Sequence, residues 1–204
     1  MRTNPFYDSL LFLIGQTPDH DALGWAKYLL VALYWALLIG SVAVAARVWS
    51  RLPDQQNPRT AAIWLMRLLI GTMWFQGSLW KLPLPVSPGF RYWTEQLAEF
   101  SWLPIHAALV RDVLLPSIHL LDPVVWVTET LLAASLMLGV GVRLAGLVGI
   151  AFVINLWIGL YHREDEWPWN YIFLIFVHGF FILDRAGEHL GLDALRRGKG
   201  ARWL

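Results

Sequence analysis

Long runs of apolar residues alternate with short polar connections along this chain. Five runs approach the length of about 20 residues that a helix rising 1.5 Å per residue needs to cross a hydrocarbon layer about 30 Å thick. They cover residues 25–46, 60–81, 123–142, 144–161 and 169–183. The fifth is the shortest and reaches only about 22 Å. The pattern predicts an all-α integral membrane protein with five spans.

The connection between the second and third runs is the longest, and prolines recur through residues 82–122. Because proline stops helices, only short ones fit here. Residues 90–100 and 105–115 mix charged with apolar side chains, which favours short helices lying on the outer surface or capping the bundle. The next connection is minimal, and Gly139 and Gly141 predict a tight hairpin between the third and fourth spans.

Composition supports the membrane interpretation and excludes several kinds of chemistry. The chain of 204 residues is 57% hydrophobic and only 15% charged, against about 25% charged in a typical globular protein. A net charge of +1 gives no electrostatic basis for binding nucleic acid. The absence of cysteine excludes disulfides, thiolate nucleophiles, zinc–thiolate sites and iron–sulfur ligation. Any redox role therefore depends on a diffusible cofactor.

The distribution of basic residues predicts the orientation. With five spans, one side of the membrane receives most of the Lys and Arg in short connections, and this side is expected to be cytoplasmic. These residues are Arg47, Arg51, Arg59, Arg143, Arg185, Arg196, Arg197, Lys199 and Arg202. We therefore expect a plasma-membrane protein with its N-terminus outside and its C-terminus in the cytoplasm.

Ionisable and polar residues inside the spans are the candidates for function. A charge at the centre of a membrane helix costs about 2.5–3.5 kcal/mol on insertion scales, so it faces the protein interior and has a partner. In the second span a helical repeat of three and four residues puts two cations on one inward face, on which lie Arg67, Gly71, Trp74, Ser78 and Lys81. Gln76 lies on the opposite face. Glu129, Asn155 and His178 lie within the third, fourth and fifth spans.

Their depths predict an outer and an inner cluster. The outer cluster combines Glu129, Lys81 and Trp80 with residues from the last span and its preceding loop, namely Trp169, Tyr171 and His162. The inner cluster pairs Arg67 with Asp184. Each residue has a structural alternative: the inner ion pair fixes helix packing, Lys81 anchors the interface, and His178 is a hydrogen-bonded core residue. Glu129 is the best candidate to hold or pass a proton.

Neither haem nor a metal is expected. Only His178 lies within a span, so a bis-histidine haem site inside the bundle has no second ligand. The sequence HREDE at 162–166 is a weak metal pattern and is interpreted as a solvated loop.

Three stretches carry a resemblance to a known family. They are MRLLIGTMWFQGSLWKLP at 66–83, ETLLAASLMLGVGVRLAGLVG at 129–149 and EWPWNYIFLIFVHGFFILDRAGEHLGLDALRR at 166–197. Together they resemble the DoxX/DoxD membrane family, and within it the DoxD type, the small subunits of thiosulfate:quinone oxidoreductases. The resemblance implies a four-helix transmembrane core at 60–197 with an external loop at 82–122. Residues 1–59, with an additional transmembrane helix, and a cytoplasmic tail at 198–204 lie outside that core.

The resemblance also implies a quinone as diffusible cofactor and an inorganic sulfur compound such as thiosulfate as substrate. On that basis we expect Glu129, His178 and Lys81 to be catalytic. The residues expected to bind the cofactor are Trp80, Trp169, Tyr171, Arg67 and Asn155. Expected partners are the lipid bilayer, the quinone and a second redox subunit. Two alternatives stay open: a non-catalytic scaffold subunit of a redox complex, and a carrier for a small solute or lipid.

Overall fold

Helices with defined capping residues make up most of the structure, a computed structural model that describes residues 4–196. Nine α-helices occur in this part of the chain, and none of its residues is in a strand. They are α1 Pro5–Leu13, α2 Pro18–Asp21, α3 Lys27–Arg51, α4 Pro58–Leu79, α5 Pro88–Glu99, α6 Pro104–Leu109, α7 Ile118–Leu138, α8 Val142–Gly159 and α9 Pro168–Leu183. The predicted tail at 198–204 lies outside the described residues.

The sequence sets several helix starts locally. Proline occupies the first turn of α4, α5, α6 and α9, where its missing N–H has no partner to lose. Asn57 accepts a hydrogen bond from the N–H of Thr60 at the start of α4, and Ser87 accepts one from the N–H of Phe90 at the start of α5. These side chains satisfy N–H groups that a helix leaves free at its first turn.

Among residues 4–196, three helical segments are long and apolar enough to cross a membrane: Gly24–Arg51, Ile118–Leu138 and Val142–Gly159. α9 is apolar but shorter. α4 has the length, but Arg67 and Gln76 lie within it and make it less apolar. The prediction of an all-α protein is thus confirmed for the described residues, which include helices long and apolar enough to cross a membrane. The count of five spans stays a prediction.

The long connection between α4 and α7 contains the two short helices that were predicted there, α5 and α6. α6 continues into a single π-helical segment, Val110–Leu114. α7 begins at Ile118, earlier than the predicted start at residue 123, because the helix tolerates Pro123 near its N-terminal end. This earlier start brings Asp122 into the helix.

Gly71 and Gly149 permit close approaches between helices, and two further glycines form the predicted hairpin. α4 packs along α7, and α8 packs along α9. A Cβ atom at Gly71 would lie 2.7 Å from Met137 Cγ, and one at Gly149 would lie 2.7 Å from the His178 ring. Gly139 and Gly141 have φ angles of 67° and 61° in the predicted hairpin, a left-handed conformation that glycine adopts readily.

α7 and α8 contact each other much less than they contact α4 and α9. The two helix pairs therefore leave space between them on one side of the hairpin. α5 packs against α8 and against the π-helical segment that follows α6, so it covers this space at the end where α4 ends and α7 begins.

Candidate ligand-binding cavity

A cavity of about 740 Å³ lies between α7 and α8 under α5. Its volume falls within the range of about 300–1,000 Å³ that is typical of small-molecule sites. Most of its walls are aromatic or aliphatic, formed by Trp80, Phe90, Trp93, Leu97, Leu114, Leu121, Val125, Val148, Ala151, Phe152, Leu156 and Leu160. A few polar residues complete them: Lys81, Thr94, Thr128, Glu129, Asn155, Glu166 and Tyr171.

The most polar feature of the cavity is an ion pair between Lys81 and Glu129. The Lys81 Nζ atom lies 2.7 Å from Glu129 Oε2, and the two side chains are only 5% and 6% exposed. Lys81 Nζ also donates to the carbonyl of Gly77 at 2.9 Å and lies 3.8 Å from the centre of the Trp80 ring. The structure thus brings together Lys81, Glu129 and Trp80, as the sequence predicted.

The inward face of α4 is also as predicted. Its members are buried, from Arg67 at the inner end through Gly71, Trp74 and Ser78 to Lys81 just past the helix. Gln76, predicted to lie on the opposite face, is exposed. The helical repeat of the sequence therefore identified the face that packs inside the bundle.

Asp122 is a buried carboxylate close to this pair that sequence reasoning missed. It has no exposed surface, and its Oδ2 atom accepts a hydrogen bond from the N–H of Ser87 at 2.9 Å. Ser87 Oγ donates in turn to the carbonyl of Trp80. Asp122 thereby ties α7 to the segment between α4 and α5. It was assigned to the external connection because the third span was expected to begin at Pro123.

Asn155 contributes a polar group on the α8 side of the cavity, as expected from its depth. Its Oδ1 atom lies 3.1 Å from His106 Nε2, and His106 Nδ1 lies 2.9 Å from Ser101 Oγ. His106 is in α6, so this contact joins the external helices to the wall of the cavity. His106 gave no signal in the sequence because it lies outside every predicted span.

Tyr171 and Glu166 form a third polar group of the cavity wall. The Tyr171 hydroxyl donates to Glu166 Oε2 at 2.7 Å. The interpretation of 162–166 as a solvated loop is therefore wrong for Glu166. Its side chain turns towards Tyr171, because Glu166 lies just before α9 and Tyr171 lies near the start of that helix.

Arg163 in the same loop is partly covered by α5. It donates to Gln96 Oε1 at 2.8 Å, and its guanidinium carbon lies 4.5 Å from the centre of the Trp93 ring. Hydrogen bonds from Arg163 also lower the pKa of the exposed Asp165 carboxyl. Arg163 thus ties the loop before α9 to α5, the helix that covers the cavity, through the Gln96 and Trp93 side chains of α5.

Two residues of the expected outer cluster, and His178, which was expected to be catalytic, do not line the cavity. Trp169 is exposed and lies against Phe173, as expected for a residue at a membrane boundary, and His162 is exposed. His178 is fully buried, and its Nε2 atom accepts a hydrogen bond from Trp74 Nε1 at 3.0 Å. His178 therefore does not meet Glu129, and its position agrees with the alternative of a hydrogen-bonded core residue.

The inner ion pair between Arg67 and Asp184 is not formed. Arg67 is fully buried and donates to the carbonyls of Leu136 at 2.6 Å and His189 at 2.9 Å. Asp184 instead contacts Arg59 and His189. The reason is that α7 ends beside Arg67 with carbonyl groups that lack helical partners, whereas α9 ends beside the start of α4. Arg67 does not line the cavity.

No family model, curated protein or solved structure matches this chain. Among residues 4–196, no group of three or more His, Asp or Glu side chains is arranged to hold a metal ion. The assignment of function therefore depends on the cavity and on the side chains that face it.

Proposed function

We propose that this chain is a multi-pass plasma-membrane protein that binds a quinone in the cavity under α5. In this arrangement α4, α7, α8 and α9 form a four-helix transmembrane core, α3 is an additional span, and α5 and α6 lie at the outer surface. The distribution of Lys and Arg supports an external N-terminus and a cytoplasmic C-terminus. Large apolar side chains exposed on these helices, including Ile39, Leu69, Leu131, Leu147 and Phe176, support contact with lipid.

The observation that carries the proposal is the Lys81–Glu129 pair in the wall of a mostly apolar, aromatic cavity. A quinone has a flat ring that stacks on aromatic side chains, carbonyl oxygens that accept hydrogen bonds and, in membranes, an apolar tail. The ammonium group of lysine has three N–H donors. Glu129 and the carbonyl of Gly77 engage Lys81, and in this proposal its third donor bonds to a quinone carbonyl.

Glu129 supplies the proton chemistry in this proposal. Reduction of a quinone to a quinol takes up two electrons and two protons, and a carboxyl group in apolar surroundings is suited to proton transfer near neutral pH. The electrons come from an inorganic sulfur compound such as thiosulfate, directly or through a second redox subunit. Two thiosulfate ions give up one electron each and join through a new S–S bond, so one quinone takes up these two electrons and two protons. The resemblance of residues 66–83, 129–149 and 166–197 to the DoxX/DoxD family supports this choice of electron donor.

Quinone binding can be tested on the protein purified in mild detergent, by titrating decylubiquinone and following tryptophan fluorescence. We expect Lys81→Met to weaken binding about tenfold, the effect of losing one charged hydrogen bond. Glu129→Gln is expected to keep most of the affinity and to lower thiosulfate-dependent quinone reduction in membranes. Gln76→Ala, on the exposed face of α4, is the matched control. We expect it to leave both the quinone affinity and the rate of quinone reduction unchanged.

Mass spectrometry of the purified protein separates the proposal from its alternatives. A co-purifying quinone supports it. A tightly held phospholipid with no quinone binding would favour a carrier, and an associated subunit with no quinone binding would favour a scaffold. Quinone affinity equal to wild type in Lys81→Met would contradict the role of Lys81.

A further inference from the structure

A second polar contact faces the cavity from α8, where Asn155 is held by a residue outside the membrane spans. Asn155 Oδ1 lies 3.1 Å from His106 Nε2, and His106 Nδ1 lies 2.9 Å from Ser101 Oγ. Each of these three side chains is partly buried. The series runs from the loop before α6, through α6, to the cavity wall.

The placement of the Asn155 amide oxygen beside His106 sets which groups donate. Asn155 Oδ1 can only accept a hydrogen bond, so His106 Nε2 carries the hydrogen in this contact. With this hydrogen on Nε2, Nδ1 is the acceptor. Ser101 Oγ lies 2.9 Å from Nδ1 and 3.1 Å from the carbonyl oxygen of Leu103, and in this tautomer its single hydrogen is donated to Nδ1. Ser101 and His106 together hold the Asn155 amide in one of its two orientations.

In this orientation the Asn155 carbonyl oxygen is occupied by His106. The Nδ2 amide nitrogen makes no hydrogen bond to any of residues 4–196, and Asn155 lines the cavity. A polar N–H group in an apolar site needs an acceptor. The free donor is therefore directed to whatever the cavity holds.

We propose that Asn155 donates a hydrogen bond from Nδ2 to a carbonyl oxygen of the bound quinone, and that His106 is the positioning residue that orients it. This inference rests on the proposed quinone binding and deepens it. Lys81 donates from the end of α4, and Asn155 donates from α8. The cavity thus offers a donor on each of two walls, which suits a ring bearing two carbonyl groups.

The test compares four variants in decylubiquinone titrations of the full chain in mild detergent. Asn155→Leu removes the donor and is expected to weaken binding about tenfold. His106→Leu leaves the amide free to turn and is expected to weaken binding about threefold. His106→Gln keeps an N–H near the position of Nε2 and restores affinity to near that of wild type. His119→Leu, an exposed histidine in the same region, is the control and has no effect.

Nitrogen-15 NMR of the histidine side chains provides a second measurement that does not depend on the quinone. We expect His106 to carry its hydrogen on Nε2 in wild type, and we expect this signal to shift in Asn155→Leu. If Asn155→Leu does not fold, the NMR signal of His106 in wild type and the comparison of His106→Leu with His106→Gln still test the inference.

The outcomes separate this inference from the proposal on which it rests. If wild type binds decylubiquinone and Asn155→Leu or His106→Leu binds it equally well, the inference is overturned and the proposed function stands. A hydrogen on Nδ1 of His106 overturns the positioning role. If wild type binds no quinone, the proposed function fails and the inference fails with it.

Discussion

Two buried cations on the same face of α4 have opposite surroundings. Lys81, at the outer end, pairs with the carboxylate of Glu129 and borders a cavity. Arg67, four turns away towards the inner end, is fully buried and bonds to the backbone carbonyls of Leu136 and His189. Lys81 and Arg67 were both candidate functional residues because each places a charge in an apolar segment. Only the space next to Lys81 distinguishes a residue that can meet a ligand from one that holds helices together.

The difference follows from the partners that each cation finds. A guanidinium has five donors in a planar fork and can satisfy carbonyl oxygens from two segments at once. The end of α7 supplies one of these carbonyls, and the turn after α9 supplies the other. Gly139 and Gly191 lie against each other at this point, which leaves no room for a ligand.

The largest expected effect comes from removing the inner cation. Arg67→Leu abolishes two hydrogen bonds from a charged donor, each worth about 1.5–3 kcal/mol, and leaves two buried carbonyls without a donor. We expect the free energy of unfolding in detergent, measured by SDS titration, to fall by about 3–6 kcal/mol. Arg67→Lys is expected to recover part of this loss, because lysine has donors but no planar fork.

The comparison would break if Arg67→Leu unfolded like wild type but lost decylubiquinone binding. Arg67 would then act on the ligand, as first expected from the sequence. Gln76→Leu, on the exposed face of the same helix, is the control for a leucine introduced into α4.

The next effect concerns the outer cation. Lys81→Met leaves the Glu129 carboxylate buried without its partner, and breaking a buried ion pair typically costs about 3–5 kcal/mol. The double variant Lys81→Met with Glu129→Gln removes both charges, so we expect it to regain most of the lost stability. Quinone binding is expected to stay weak in both.

This pair of variants sharpens the comparison because it separates stability from binding. The free energy of unfolding and the affinity for decylubiquinone are therefore measured on both the single and the double variant. If the double variant is stable and binds decylubiquinone as wild type does, the ion pair is only structural, like Arg67.

The smallest effect compares two glycines of α4. A Cβ at Gly71 would lie 2.7 Å from Met137 Cγ and 3.1 Å from the carbonyl oxygen of Ala133, whereas one at Gly77 would meet nothing within 4 Å. Gly71→Ala therefore forces α4 away from α7, and we expect a loss of about 1–3 kcal/mol. Gly77→Ala relieves the cost of a helical glycine and is expected to gain up to about 1 kcal/mol.

The two alanine variants are compared by thermal unfolding in the same detergent, and each is the control for the other. Equal unfolding temperatures would show that α4 is no more tightly packed at Gly71 than at Gly77. The close approach of α4 to α7 at Gly71 would then have no measurable effect on stability.

Particular residues show how far the sequence could be interpreted. The repeat of Arg67, Gly71, Trp74 and Lys81 identified the inward face of α4, because one helix turn sets those spacings. The same reasoning assigned Arg67 to Asp184, and it could not detect the carbonyl at the end of α7 that Arg67 reaches. Backbone groups have no signature in the sequence, so a charge that they satisfy looks unpaired until the helices are packed.

The sequence by itself determined the all-helical character of the described chain, its apolar helices, the short helices α5 and α6, and the positions of Glu129 and Asn155 within apolar helices. These features depend on local periodicity and run length. The tertiary structure decided that α7 and α8 diverge to leave a cavity, that His178 is kept out of it, and that His106 and Glu166 take part in or support its wall. Such features depend on distances between segments far apart in the chain, which packing alone sets.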